Sequence, residues 1–205
     1  RMDVWSDNEG QRATPPAEML RYGQYVIPTL NHQVYLAKPP LLYWIIAGVY
    51  KVTGVISPLT ARIPVVLAAT VLVFCLYLCL RKEMGEGPAR WAAVAFLASP
   101  YFFEHSRWAE LDIQLTLHIL LTILLLRAAC RARVASPGSS VGRGVLLAVG
   151  GGVSMGAAIL LKGPVPFLFL WAAWIAHQFE TGDDQRGALR TCIKWSVIAF
   201  AIEVV

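Results

Sequence analysis

After position 59 the chain alternates long apolar runs with short charged clusters. A helix needs about 20 apolar residues to cross the hydrocarbon core of a bilayer. Five or six runs approach that length: Thr60–Leu80, Ala89–Phe103, Leu111–Ala129, Val145–Leu161, Gly163–Ala176 and Cys192–Val205. The first part of the chain is patterned differently. Pro15–Leu20 predicts a short helix, Tyr22-Gly23-Gln24 a turn, and Tyr25–Leu30 an extended segment. Leu41–Val52 is apolar but only a dozen residues long; it carries Lys51 and follows the Pro39-Pro40 break. That predicts a helix lying in the interface rather than crossing the membrane. The fold class is all-α: a polytopic transmembrane helical protein. Residues 1–59 form a long extracytoplasmic loop with interfacial helices, and residues 60–205 form a transmembrane bundle.

Composition strengthens the membrane reading. Apolar residues make up 57% and charged residues 15% of the chain, and the mean hydropathy is +0.55, which excludes an ordinary soluble domain. The net charge of +5 is distributed as a topology signal, and no basic stripe interleaved with aromatics points to nucleic acid. Arg81, Lys82 and Arg90 flank one loop, Arg127, Arg131, Arg133 and Arg143 a second, and Arg186, Arg190 and Lys194 a third. The positive-inside rule makes these three loops cytoplasmic. Residues 1–59, the Glu104–Asp112 connection and the Lys162-Gly163-Pro164 turn then share the opposite side, which the reading takes as the periplasm or exterior of an inner (plasma) membrane. If Leu41–Val52 crossed, the arginine-rich loops would lie outside. Cys75, Cys79, Cys130 and Cys192 lack metal-ligand spacing and read as small packing residues. Arg1 opens directly into a polar loop and Val204-Val205 stop inside an apolar run. The expectation is a piece of a larger protein, lacking one N-terminal helix and a downstream part.

The ionisable residues on the extracytoplasmic side are the candidates for chemistry. Asp7-Asn8-Glu9-Gly10 reads as a glycine-containing turn bearing two carboxylates, solvated or functional. Asp112 opens a span beside Glu110; it can cap a helix and complement its dipole, or act in a site. Lys162 interrupts an apolar run before Gly163-Pro164, where it complements a helix C-terminus or binds phosphate as a point charge. Arg62 lies just inside another span and either snorkels or joins an anion site. Lys38 precedes the rigid Pro39-Pro40 and the aromatic-rich run to Trp44. Gly150-Gly151-Gly152 with Gly156 predicts close helix packing rather than a phosphate loop. His32, His105, His118 and His177 are scattered without ligand spacing; His118 is expected to face a neighbouring helix. No metal and no cofactor is assigned.

These motifs carry a family resemblance. Asn8-Glu9-Gly10-Gln11-Arg12, Glu18-Met19-Leu20, Pro28-Thr29-Leu30-Asn31 and the stretch Tyr35 to Trp44 together resemble the first periplasmic loop of the aminoarabinose transferases that modify lipid A. The wider group includes bacterial relatives of protein O-mannosyltransferases. Ala61-Arg62-Ile63-Pro64, Leu111-Asp112 and Leu161-Lys162-Gly163-Pro164 continue the match in order. The resemblance implies a C-type glycosyltransferase with a polyprenyl-phosphate-linked sugar donor and a lipid A, glycan or protein acceptor. It implies a catalytic acid at Asp7 or Glu9, with Asp112 as a further candidate. Lys38 would contact the donor phosphate, with Lys162 and Arg62 as further candidates. Two departures stand out. Asn8-Glu9 replaces the Asp-Glu of many relatives, so Glu9 keeps the register relative to Met19 while Asp7 keeps the acid type. Ala37 replaces an acid before the loop lysine, which removes a potential metal ligand.

Two other classes fit the charge pattern: a transporter or flippase of polyprenyl-linked sugars, and a non-catalytic membrane subunit. Transporters are built from repeats with broken helices at mid-membrane. This sequence shows no repeat and gathers its unusual charges on one side, which favours the enzyme.

Overall fold

The computed structural model of the chain describes residues 7–135 and 141–180. It divides into two compact units, Arg1–Leu117 and His118–Val205.

In the first unit, helix α1 (Asp7–Tyr22) carries Pro15 and Pro16 in its interior. Prolines there remove two intrahelical N–H donors. The helix is nonetheless continuous, because Glu9, Arg12, Ala13, Pro16 and Met19 recur at helical spacing and are all buried. The expected turn at Asp7–Gly10 is therefore helix, and α1 starts well before Pro15, where the sequence had placed the short helix. Gly23, at φ +70°, closes the helix through its N–H to the Met19 carbonyl at 2.9 Å.

The extended segment predicted over Tyr25–Leu30 resolves into a minimal hairpin, the one departure from an all-helical chain among the described residues. Strands β1 (Thr29–Leu30) and β2 (Gln33–Val34) pair antiparallel, Thr29 with Val34 and Leu30 with Gln33. Asn31 and His32 both take positive φ, 53° and 67°, as a tight two-residue hairpin turn requires. The Glu18 carboxylate holds this hairpin to α1: it accepts from the Thr29 hydroxyl at 2.5 Å and the His32 N–H at 3.4 Å.

Helix α2 (Leu41–Thr53) is 13 residues long, about 20 Å at 1.5 Å per residue, and falls short of a bilayer core. Leu42, Tyr43, Ile46, Ala47 and Tyr50 form its buried stripe, which packs on α1 and on helix α3 (Pro58–Met84). Gly54 at φ +68° ends α2. Ser57 then starts α3 with a capping box: its hydroxyl accepts from the Thr60 N–H at 3.2 Å, and its own N–H donates to Thr60 Oγ1 at 3.0 Å. That reciprocal pair satisfies donors a helix start otherwise leaves open.

The run expected as one span over Ala89–Phe103 is broken in two. Helix α4 (Glu86–Ala98) ends at Ser99, whose backbone is extended (φ −58°, ψ 126°), and helix α5 (Pro100–His105) follows. Proline disfavours helical geometry in the residue before it, which accounts for the break. Helix α6 (Asp112–Ala135) begins in this unit.

In the second unit, α6 continues beside helix α7 (Val141–Lys162), which is followed by helix α8 (Val165–Glu180). Gly151 permits the close approach of α7 to α6: a Cβ there would lie 3.0 Å from Leu126 Cδ2. Ser154 donates to the His118 carbonyl at 3.0 Å, and its Oγ lies 3.2 Å from His118 Nδ1, so His118 faces α7. Three described helices are long and apolar enough to cross a membrane: Pro58–Met84, Asp112–Ala132 and Gly142–Lys162. The run expected over Gly163–Ala176 appears as the 16-residue α8. Cys192–Val205 lies outside the described residues.

Candidate functional site

The first turns of α1 carry an acid, Glu9, and an arginine, Arg12, to the packed face of the first unit. Glu9 is fully buried. Its carboxylate accepts from Arg62 Nε at 2.6 Å and Nη2 at 2.8 Å, and from the Ala109 N–H at 3.3 Å. A side-on guanidinium clamp of this kind gives both strength and geometric definition. The three partners come from α1, the start of α3 and the connection leading into α6, so one carboxylate ties together three segments distant in sequence.

Arg62, expected beside a donor phosphate, is thus engaged with Glu9. Asp7 opens α1, and its side chain lies outside the described residues. Asp112 opens α6 and is half-buried, and its carbonyl accepts from the Thr116 hydroxyl at 2.7 Å. Its neighbour Glu110 is buried, with His105 Nδ1 at 2.5 Å from its carboxylate. Lys162 belongs to the second unit. There it ends α7, partly exposed, before Gly163 at φ +69°.

Lys38 stands in the stretch between β2 and α2. That stretch is fixed at both ends. Tyr35 donates to Gln11 Oε1 at 2.9 Å, and Trp44 Nε1 donates to the Tyr25 carbonyl at 2.7 Å. Lys38 itself is half-buried and forms no ion pair among the described residues. A lysine on a tethered loop with no carboxylate counter-charge among the described residues is suited to an anionic ligand.

Sequence reasoning missed the residues next to Gln11. Arg12 is 8% exposed, and its Nε and Nη1 have no hydrogen-bond partner. The Tyr43 hydroxyl, on a fully buried side chain, is likewise unpartnered. Burial pushes the Tyr43 phenol above its ordinary pKa, and Arg12, by its charge and its close approach to the phenol oxygen, opposes that rise. Tyr50, about two turns further along α2, is also raised, by burial first and the Glu9 charge second. Its hydroxyl donates to the Ala13 carbonyl at 3.2 Å. The signal in the sequence was a lone arginine on the same helical face as Glu9 and Met19, visible only once the helix was known to begin at Asp7.

Among the described residues, no group of three or more His, Cys, Asp or Glu side chains comes together as a metal cluster would.

Comparison with known proteins gives the chain its context. The family model described as dolichyl-phosphate-mannose-protein mannosyltransferase matches residues 37–205. An uncharacterized protein of Aquifex aeolicus (strain VF5) is 29% identical over 123 residues, 60% of this chain and 24% of that protein. Among solved structures, ArnT from Cupriavidus metallidurans in the apo state superposes with a TM-score of 0.78 at 23% identity, over 96% of this chain and 35% of that one. The same protein bound to undecaprenyl phosphate gives 0.73 at 22% identity, over 96% of this chain and 37% of that one. The likeness to ArnT is one of fold. The chain spans about a quarter of the bacterial relative and little more than a third of ArnT.

Proposed function

This chain belongs to the dolichyl-phosphate-mannose-protein mannosyltransferase family, and from that premise we propose that the protein is a membrane glycosyltransferase. It moves a sugar from a polyprenyl-phosphate donor to a hydroxyl of a lipid, glycan or protein at the extracytoplasmic face of the inner (plasma) membrane. The observation that carries the reading is Lys38: a cation on a loop tethered to α1 and α2, without an ion pair among the described residues. The fold it shares with a protein solved with undecaprenyl phosphate supports the same class of ligand.

The chemistry is a single displacement. The acceptor oxygen attacks the anomeric carbon, the bond from that carbon to the phosphate oxygen breaks, and its electron pair leaves with the lipid phosphate. A carboxylate takes the acceptor proton, and configuration inverts. Lys38 neutralises the charge that gathers on the departing phosphate. Lys162 is a candidate cation for the same class of ligand. For the base, Asp7 is preferred over Glu9. The Glu9 carboxylate is buried and holds three donors, each of which stabilises its charge and weakens it as a proton acceptor. Asp112 is assigned to orienting the acceptor. Glu9 and Arg62 are assigned to the frame.

The test uses the whole protein in membranes with saturating polyprenyl-phosphate sugar. Asp7→Asn should lower turnover by about 10²–10⁴-fold, the range of a lost general base, with thermal stability unchanged. Asp112→Asn should lower it about tenfold or more. Lys38→Ala should weaken donor use, and Lys38→Arg should restore part of it. Wild-type turnover in both Asp7→Asn and Lys38→Ala would sink the glycosyl-transfer reading. Mass spectrometry of envelope lipids and glycans, with and without the gene, would identify the acceptor.

A further inference from the structure

Arg12 presents a problem of electrostatics that the fold alone leaves unsolved. A guanidinium stays protonated at every physiological pH, so its charge cannot be shed when it is buried. Buried charges are tolerated where a counter-charge or a full set of hydrogen bonds replaces water. Arg12 is more than nine-tenths buried, with two donor nitrogens unsatisfied. Its neighbour in charge, the Tyr43 hydroxyl, is a third unsatisfied polar atom in the same place. Three residues earlier on the same helix, Glu9 has found a guanidinium and a backbone N–H.

The surroundings say what the missing partner is. All three unsatisfied atoms can donate, since a tyrosine hydroxyl keeps its proton at neutral pH; they call for an acceptor bearing negative charge. Tyr35 acts electrostatically on Tyr43 and bonds Gln11, the residue before Arg12. The stretch that carries Lys38 therefore runs from Tyr35 to Tyr43 with both ends at the Gln11–Arg12 turn of α1. A second cation on that short stretch favours phosphate, which offers several oxygens and more than one unit of charge to share, over a single carboxylate.

We infer that Arg12 and the Tyr43 hydroxyl form a binding subsite for the phosphate of the lipid-linked donor, complementing Lys38. This inference rests on the donor proposed above and adds residues to its recognition. In the unliganded protein the site is a stored electrostatic penalty. Ligand binding removes it, so Arg12 acts on donor affinity rather than on folding.

The measurement is ligand affinity and thermal unfolding of the whole protein in detergent, with farnesyl phosphate, farnesol and inorganic phosphate as probes. Wild type should bind farnesyl phosphate at least tenfold tighter than farnesol. Arg12→Met should reduce that preference at least fivefold while leaving the unliganded Tm equal or higher, which no purely structural role for the arginine allows. Arg12→Lys should keep part of the preference, and Tyr43→Phe should lose two- to fivefold. A preference that survives Arg12→Met but disappears in Lys38→Ala would overturn the subsite and leave the donor reading standing. A wild type that does not separate farnesyl phosphate from farnesol would overturn the donor reading itself. Inorganic phosphate matching farnesyl phosphate in an Arg12-dependent Tm shift would assign the subsite to a free anion and overturn the lipid source. An Arg12→Met protein with lowered unliganded Tm and unchanged probe binding would make the arginine structural and end the proposal.

Discussion

Two buried charges sit three residues apart on α1 and meet opposite circumstances. Glu9 is enclosed by Arg62 and the Ala109 N–H, every contact at hydrogen-bonding distance. Arg12 is buried as well, beside Tyr43 of α2, yet two of its nitrogens and the Tyr43 hydroxyl are unmatched. Burial is the same in kind, but satisfaction differs. A buried ion pair that is complete within the chain holds segments in register. An incomplete one is a debt that a ligand can settle. The contrast separates a frame from a binding site without reference to any relative.

The sharpest way to break that contrast is to cut the frame. Removing one partner of a buried pair leaves the other charge unmatched and costs about 3–5 kcal/mol. Glu9→Gln and Arg62→Leu should each lower unfolding stability in detergent by that order. The double variant Glu9→Leu with Arg62→Leu should recover much of the loss, because neither charge is then stranded. Singles within about 1 kcal/mol of wild type would show that Glu9 and Arg62 are no more than an ordinary surface pair, and the frame assignment would go.

How far the sequence foretold each region follows from the range of the interactions. The apolar run of α3 and the short α2, stopped by Gly54, are local features, and hydropathy with turn chemistry found both. Gly151 was read as a close-packing residue, and the 3.0 Å that would separate a Cβ there from Leu126 agrees. The break at Ser99-Pro100 was available in the same local grammar, but the apolar residues on either side concealed it. Helix α1 was misjudged at its start because Pro15-Pro16 signals a helix beginning more often than an interior. What overrode that preference is the buried stripe from Glu9 to Met19, which needs α2 to pack against. The Glu9–Arg62 pair joins positions 53 apart, and no periodicity or spacing encodes such a contact. Family motifs brought both residues to notice, though with separate roles. Arg12 escaped for a related reason: being unpartnered is a property of the packed protein, not of the chain.

A milder change probes how the loop carrying Lys38 is held to the Arg12 turn. The Tyr35 hydroxyl donates to Gln11 at 2.9 Å, and a single neutral hydrogen bond contributes about 1 kcal/mol net. Tyr35→Phe should therefore lower stability by about that amount. It should also raise the donor KM severalfold at nearly constant kcat, because it loosens a binding loop and leaves the reacting groups alone. A fall in kcat at unchanged KM would place Tyr35 in the chemistry instead. Gln11→Ala, which removes the other partner of the bond, should reproduce the Tyr35→Phe result, and a clear difference between them would show that the hydroxyl serves something other than Gln11.

The smallest effect belongs to Tyr50, which marks the satisfied side of the comparison. Its hydroxyl donates to the Ala13 carbonyl at 3.2 Å, and its pKa is raised by burial and by the Glu9 charge. The sign of the resulting pH dependence follows from proton counting. Above about pH 10, the ordinary tyrosine value, the unfolded chain releases the Tyr50 proton while the folded chain keeps it. The unfolded state then binds fewer protons, so stability falls as pH rises through that region. Below it the two states hold the same proton and Tyr50 contributes no slope. Tyr50→Phe should cost about 1 kcal/mol at neutral pH for the lost hydrogen bond, and it should flatten the alkaline decline of Tm between about pH 9.5 and 11, the window set by the ordinary tyrosine value. Tyr43→Phe should flatten the same window, since burial raises Tyr43 as well. It should show little loss at neutral pH, because the Tyr43 hydroxyl has no hydrogen bond to forfeit in the unliganded protein. Equal neutral-pH losses for the two substitutions would mean that Tyr43 is as well satisfied as Tyr50, and the distinction between frame and binding site would lose its second support.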